Sequence, residues 1–264
     1  MKKVSFVGIL LLLLLFTTSI QARNEKSFSL PIAAKKVSEN TYYLGKAKDK
    51  DSGKEVEGYA VIHKKEGKGK PPWAGGGDKK GATKCYGFLA KGAKWKTEEP
   101  YMIDVKNSGI SESFVSSNMA LDIAEWENAA GNLNILGVEI GNTVDGADTS
   151  STDGKNEVMF GNMDSGTIAV TIVWGVFGGP PQGRELVEWD QVYNTYYPWS
   201  ETGEPGKMDF WNIAIHELGH TFGLGDLYDS ACADETMYGY GALGETKKRD
   251  LNTGDITGIQ ELYK

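Results

Sequence analysis

The chain has 264 residues, with 28 Lys and Arg against 36 Asp and Glu, a net charge of −8, three histidines and two cysteines. That length accommodates one catalytic-sized domain with a leader rather than a string of domains. The acid excess argues against a nucleic-acid partner, which calls for a basic face.

Residues 1–22 have the pattern of a secretory signal. Lys2 and Lys3 precede a greasy run from Val4 to Phe16, broken only by Ser5 and Gly8, and Ile20-Gln21-Ala22 offers a small-residue cleavage site. The run is shorter than the ~20 residues of a spanning helix, which favours cleavage over an uncleaved anchor. No later stretch has spanning length. The expectation is a secreted or extracellular-surface protein with no stable membrane span after signal cleavage.

Residues 23–84 read as a basic leader, or propeptide. Thr41-Tyr42-Tyr43-Leu44 and Gly58-Tyr59-Ala60-Val61-Ile62 are strand-rich and flank the turn cluster Asp49-Lys50-Asp51-Ser52-Gly53, which predicts a β-hairpin over 37–63. Lys64 to Lys84 is mostly Lys, Gly and Pro, a composition that cannot bury a core and predicts a flexible, protease-accessible linker. His63 stands at its edge beside lysines and reads as a surface residue rather than a ligand. The leader carries 15 Lys and Arg against 8 Asp and Glu (+7), and residues 85–264 carry 11 against 28 (−17). Such a split fits a solvated basic tail, or a basic prosegment steered onto an acidic domain.

The main domain, 85–264, begins near Cys85. Tyr101–Val105 predicts a first strand. Ser111 to Ala130 carries Val115, Met119, Ile123 and Trp126 at helical spacing and stops at Gly131, so it predicts a helix with a core-facing stripe. Strand candidates follow at Ile135–Ile140, Val158–Gly161, Ile168–Phe177 and Leu186–Val192. Around the second of these, 142–166 is rich in Asp, Gly, Asn and Ser. Asp145, Asp148 and Asp153 there could bind calcium through hard oxygen ligands, although they do not match the twelve-residue calcium loop and ordinary turn chemistry also accounts for them. Asp209 to Phe222 predicts the second long helix, ended by Gly223, and Thr253 to Tyr263 a last one.

The second helix carries His216-Glu217-Leu218-Gly219-His220. Two histidines four apart share one helix face, so both imidazoles can reach one zinc ion, and the glutamate between them is placed to act on a water. A catalytic zinc needs a third protein ligand and an open position. Gly223 lets the chain fold back, and Asp226 follows three residues later. If Asp226 merely capped its own loop, the third ligand would have to come from Asp229, Asp234 or Glu235; a different zinc-protease clan would use a downstream glutamate such as Glu235 or Glu245.

With these residues the sequence resembles the metzincin metalloproteases, specifically their matrixin-like branch, whose pattern H-E-x-x-H-x-x-G-x-x-H/D is followed by a methionine turn. Thr236-Met237-Tyr238-Gly239 stands where that turn belongs, and Gly254 to Tyr263 is similar to the last matrixin helix. The resemblance is strong over 209–264, looser over 85–208 and not evident over 23–84. It implies an α+β metzincin-type domain: a mixed, mostly parallel twisted sheet, two long helices, a Met-turn and a C-terminal helix. It also implies a zinc endopeptidase with Glu217 as general base, His216, His220 and Asp226 as metal ligands, and Met237 supporting the zinc from beneath. By family order, the strand near Ile168–Trp174 would be the cleft rim that pairs with an extended substrate, although it could equally be a buried central strand. The expected partner is a protein or peptide substrate, with the chain acting as a monomer.

Two departures stand out. Asp226 is similar to the snapalysin-type third ligand, where most matrixins have histidine. A carboxylate lowers the site's charge by one, so a zinc-bound water should be less acidified. Matrixins also hold a structural zinc with further histidines, and the single one left here, His63, is too few for such a site. The pair Cys85 and Cys232 would form a disulfide in an exported protein, worth about 5 kcal/mol for so long a loop in the chain-entropy model. Alternatively Cys85 would be an inhibitory thiolate on the zinc, although Thr83-Lys84-Cys85-Tyr86-Gly87 does not resemble the Pro-Arg-Cys-Gly switch, or both thiols would be free. A non-catalytic adhesion or binding protein on the same scaffold is the rival reading, and the retained Glu217 argues against it.

Overall fold

The computed structural model describes residues 27–67 and 84–264. The signal-like segment 1–22 and most of the Lys/Gly linker lie outside the described residues. In chain order the elements are β1 (Lys35–Lys36), β2 (Thr41–Lys48), β3 (Glu55–Lys65), β4 (Glu99–Asp104), α1 (Glu112–Ala129), β5 (Leu136–Gly141), β6 (Asn156–Gly161), β7 (Thr167–Val176), β8 (Glu185–Asn194), β9 (Trp199–Ser200), β10 (Met208–Asp209), α2 (Phe210–Thr221), β11 (Tyr240–Gly241) and α3 (Thr253–Tyr263). The fold is α+β. One mixed sheet runs β1-β2-β3-β7-β8-β6-β4-β5 with β11 added beside β3, and β9 and β10 pair separately.

Parallel pairing joins β5, β4, β6 and β8. Strand β7 then reverses against β8, and the leader strands β3, β2 and β1 continue antiparallel. The expected parallel character therefore belongs to the half of the sheet farthest from the leader. The predicted hairpin is present as β2 and β3, but it does not stand apart. Its second strand pairs along β7 from Glu57↔Gly175 to Lys64↔Thr167, so the hairpin extends the main sheet.

Alternation along β3 explains why it fits there. Val56, Ala60 and Ile62 are buried with Met159, Met163, Val170, Ile172, Trp174 and Val192 on one face of the sheet. Side chains of opposite parity, Tyr59 and His63 among them, point to the face that carries α1, α2 and α3. That face holds the larger core, in which Val115, Met119, Ile123 and Trp126 of α1 meet Ile213, Ala214 and Leu218 of α2 and Ile259 of α3. At Gly58 a Cβ would sit 2.7 Å from the Trp174 ring, so the crossing of β3 and β7 needs a residue without one.

Helix α2 is buried along nearly its whole length. Asp209 caps it by accepting from Asn212 N, and Arg249 clamps the same carboxylate, with Nη2 2.6 Å from Oδ2. At the other end Gly223 adopts φ +104°, a conformation that favours glycine, and turns the chain back towards Asp226. Cys85 and Cys232 are bonded to each other, with Cα atoms 5.3 Å apart, and tie the start of the main domain to the loop beyond Asp226. Among the described residues no helix is long and apolar enough to cross a membrane.

Candidate metal centre and cleft

The helix, the glycine turn and the loop after it bring three atoms to one point. His216 Nε2 and His220 Nε2 each lie 3.3 Å from Asp226 Oδ1, with all three side chains buried. None of the three atoms has a hydrogen-bond partner. Burying three unpartnered polar atoms costs several kcal/mol unless something binds them, and two imidazole nitrogens with one carboxylate oxygen are a donor set that zinc accepts. The other ring nitrogens are committed. His216 Nδ1 donates to the Thr236 carbonyl at 2.7 Å and His220 Nδ1 to the Leu224 carbonyl at 3.0 Å, which fixes both tautomers with the Nε2 lone pair inward.

Asp226 is fixed in the same manner. Its Oδ2 accepts from the Tyr228 hydroxyl at 2.7 Å, leaving Oδ1 to face the histidines. Burial alone would push Asp226 up, yet His220 and His216 beside it hold it far below the usual carboxylate range, so it is an anion. Burial takes His216 down to about 4, which keeps its ring neutral and able to ligate. The other acids considered as third ligand are engaged elsewhere. Glu235 accepts from Gly254 N and Asp255 N, Glu245 lies 3.4 Å from Lys248 Nζ, Asp234 pairs with Lys247, and Asp229 accepts from Ala231 N.

Met237 lies under the helix. A Cβ on Gly219, between the two histidines, would come within 2.1 Å of Met237 Sδ and 3.0 Å of the Trp126 ring. The methionine therefore packs against the backbone of the helix that carries both histidines.

Glu217 is fully buried, and burial raises its carboxyl above the ordinary range. Thr171 Oγ1 donates to its Oε2 at 2.6 Å. Its Oε1 lies 3.0 Å from Nδ1 of His63. The surface placement expected for His63 is wrong. The residue is completely buried, and its ring sits over that of His216 with centroids 3.9 Å apart. Burial, with Lys248 nearby, takes His63 down to about 3, so it is a neutral imidazole. The lysines after it suggested the surface, but β3 continues through them as an interior strand.

The same strand is paired on both of its edges. β3 lies antiparallel to β7 on one side and parallel to β11 on the other, with Lys64 opposite Tyr240 and Lys65 opposite Gly241. Strand β7 is thus central within this chain, with β3 along one edge and β8 along the other. Beside Asp226 a cavity of about 300 Å³ opens between the leader hairpin (Val37, Ser38, Thr41, Tyr59) and Phe88, Leu89 and Tyr228. His63, Thr171 and Tyr228 all touch the site without a motif to announce them. Only the position of Tyr228, two residues past a ligand candidate, offered a local signal.

Of the candidate calcium ligands, Asp145 and Asp153 converge on the Lys155 ammonium, whereas Asp148 lies with Glu188 and Asp190.

The matrixin family model, Peptidase_M10, matches residues 95–264. Metalloendoproteinase 4-MMP of Arabidopsis thaliana is 32% identical over 84 residues, which span 32% of this chain and 23% of that protein. The chain therefore matches about a quarter of that relative's length. Among solved structures, metalloproteinase-II from Bacteroides fragilis aligns over 86% of this chain and 77% of its own at 14% identity and a TM-score of 0.35.

Proposed function

The chain belongs to the matrixin family, and from that premise we propose that it is an exported zinc-dependent endopeptidase held latent by its own leader. The observation that carries the proposal is the convergence of the three unpartnered atoms of His216, His220 and Asp226 beside Glu217. A zinc ion held there would acidify a water and polarise a peptide carbonyl.

The chain's own residues supply the rest. Glu217, oriented by Thr171, takes a proton from the attacking water and delivers it to the leaving amine. Its raised carboxyl pKa suits a group that must both accept and release that proton. The free edge of β7 would align an extended substrate by β-addition. In the full chain β3 holds that edge, and His63 occupies the oxygen of Glu217 that Thr171 leaves open. Latency on this reading acts on the base and on the substrate groove. His63 groups with His216 and Glu217 rather than with the His216–His220–Asp226 donors.

A protein-hydrolysis assay on the chain cleaved between residues 67 and 84 and freed of its leader, with and without a chelator, tests the activity. Chelator-sensitive cleavage that the uncut chain lacks is the expected result. Absent or chelator-insensitive hydrolysis would leave the adhesion or binding protein as the better reading.

A further inference from the structure

His63 sits in a slot whose walls come from β7, α2 and β11. Its ring lies over the His216 ring, the two planes tilted by 34°. On another side is Gly241 of β11. A Cβ there would stand 3.2 Å from His63 Nε2, 3.0 Å from Ile168 Cδ1 and 3.2 Å from Ile213 Cδ1. The glycine thus leaves the width that a ring needs, because a methyl at 241 would press on the imidazole and on both isoleucines at once.

Charge enters through the same wall. Tyr240, the residue before Gly241, lies opposite Lys64 of β3. Its carbonyl accepts from Nζ of Lys248, as does the Tyr238 carbonyl at 3.3 Å, and Glu245 Oε2 is 3.4 Å from the same ammonium. Lys248 is fully buried and close enough to act on the charge of His63. A cationic side chain entering the slot would give up its hydration and meet a positive charge in a poorly screened place. A flat neutral ring loses no such hydration and gains the stacking surface of His216.

β3 lies on the edge of β7 where, on the protease reading, the substrate strand lies, and the inference rests on that reading for its biological use. A peptide that replaced β3 would bring one side chain into this slot beside Glu217. We propose that the slot filled by His63 is a side-chain pocket for an extended peptide that selects neutral planar residues, Gly241 making room for the ring and Lys248 turning cations away. The strand Tyr59–Glu66 is then a cast of the peptide that the cleft prefers.

Two arms test this. In the intact chain, residue 63 is varied and thermal unfolding is measured. His63→Lys should lower the Tm more than His63→Phe. Lys248→Gln, which keeps a donor for the wall carbonyls and removes the charge, should recover part of the difference. Gly241→Ala should lower the Tm when residue 63 is His more than in the His63→Ala chain, a coupling that a purely local fault at 241 would not show. Should Lys248→Gln fail to fold, the Gly241 pair carries this arm. In the second arm, the chain freed of residues 23–84 is given peptides Tyr-Ala-Val-Ile-X-Lys-Lys-Glu. The kcat/KM for X = His or Phe should exceed that for X = Lys by about tenfold or more, and Lys248→Gln should narrow the gap. Additive Tm effects would overturn the pocket, as would hydrolysis indifferent to X. Coupled Tm effects with no peptide hydrolysed would sink the protease reading and leave the selectivity of the pocket in place.

Discussion

Asp226 is held from two sides, by the Tyr228 hydroxyl on Oδ2 and by the turn at Gly239, where a Cβ would come within 3.0 Å of the Asp226 carboxyl carbon. With one oxygen tied down, the other faces His216 and His220. Removing the carboxylate therefore removes a ligand without disturbing the helix: Asp226→Ala should lose zinc while keeping its helical circular dichroism, with metal content per chain as the measurement. Zinc retained at full stoichiometry would point to another ligand, although Glu235 and Glu245 are already committed elsewhere. Tyr228→Phe should be milder. It frees the carboxylate to rotate, and losses of about 10- to 100-fold in metal affinity are typical when such an outer partner goes. Competition against a chelator of known affinity would read this directly.

Helix α2 shows how far local pattern reaches. Its cap at Asp209, its histidine spacing and its stop at Gly223 are all written within fifteen residues, because capping, helical period and glycine's left-handed φ are local effects. The parallel strands and α1 were legible for the same reason. The place of β3 was not. Its hairpin partner lies next to it in sequence, but its other neighbour, β7, lies about a hundred residues on, and no local periodicity encodes such a pairing. His63 was misread with it, since a histidine before lysines looks solvated until the strand beneath is known to be interior. Tight packing between elements yields a further prediction. Gly219→Ala would force a methyl into Met237 and Trp126, so it should destabilise the chain by about 1–3 kcal/mol despite alanine's better helix propensity. Equilibrium unfolding of the zinc-bound chain measures it, and a gain in stability would mean that Met237 moves freely.

On the scale of the whole molecule, residues 23–84 carry +7 and residues 85–264 carry −17, but opposite charge is a different matter from what holds the two together in the proposed latent form. Lys54 reaches Glu185 across the two, yet its side chain is 56% exposed. Exposed pairs of this kind contribute little to stability. Against that stand Val56, Ala60 and Ile62 in the core and a strand of backbone hydrogen bonds along β7. Charge should therefore govern how fast the leader docks, and burial how slowly it leaves. The test is kinetic. The leader, residues 23–84, is added to the chain from which it has been cleaved and removed. Between about 50 and 500 mM salt its association rate should fall several-fold, as the Debye length shortens towards a few ångströms, while its dissociation rate stays level. A leader carrying His63→Ala should keep the wild-type association rate and its salt dependence but dissociate faster, because the histidine acts only after docking, on Glu217. An association rate indifferent to salt would remove the steering role of the charge split. A dissociation rate that climbs with salt would show that ion pairs, rather than β3 and its buried side chains, keep the cleft closed.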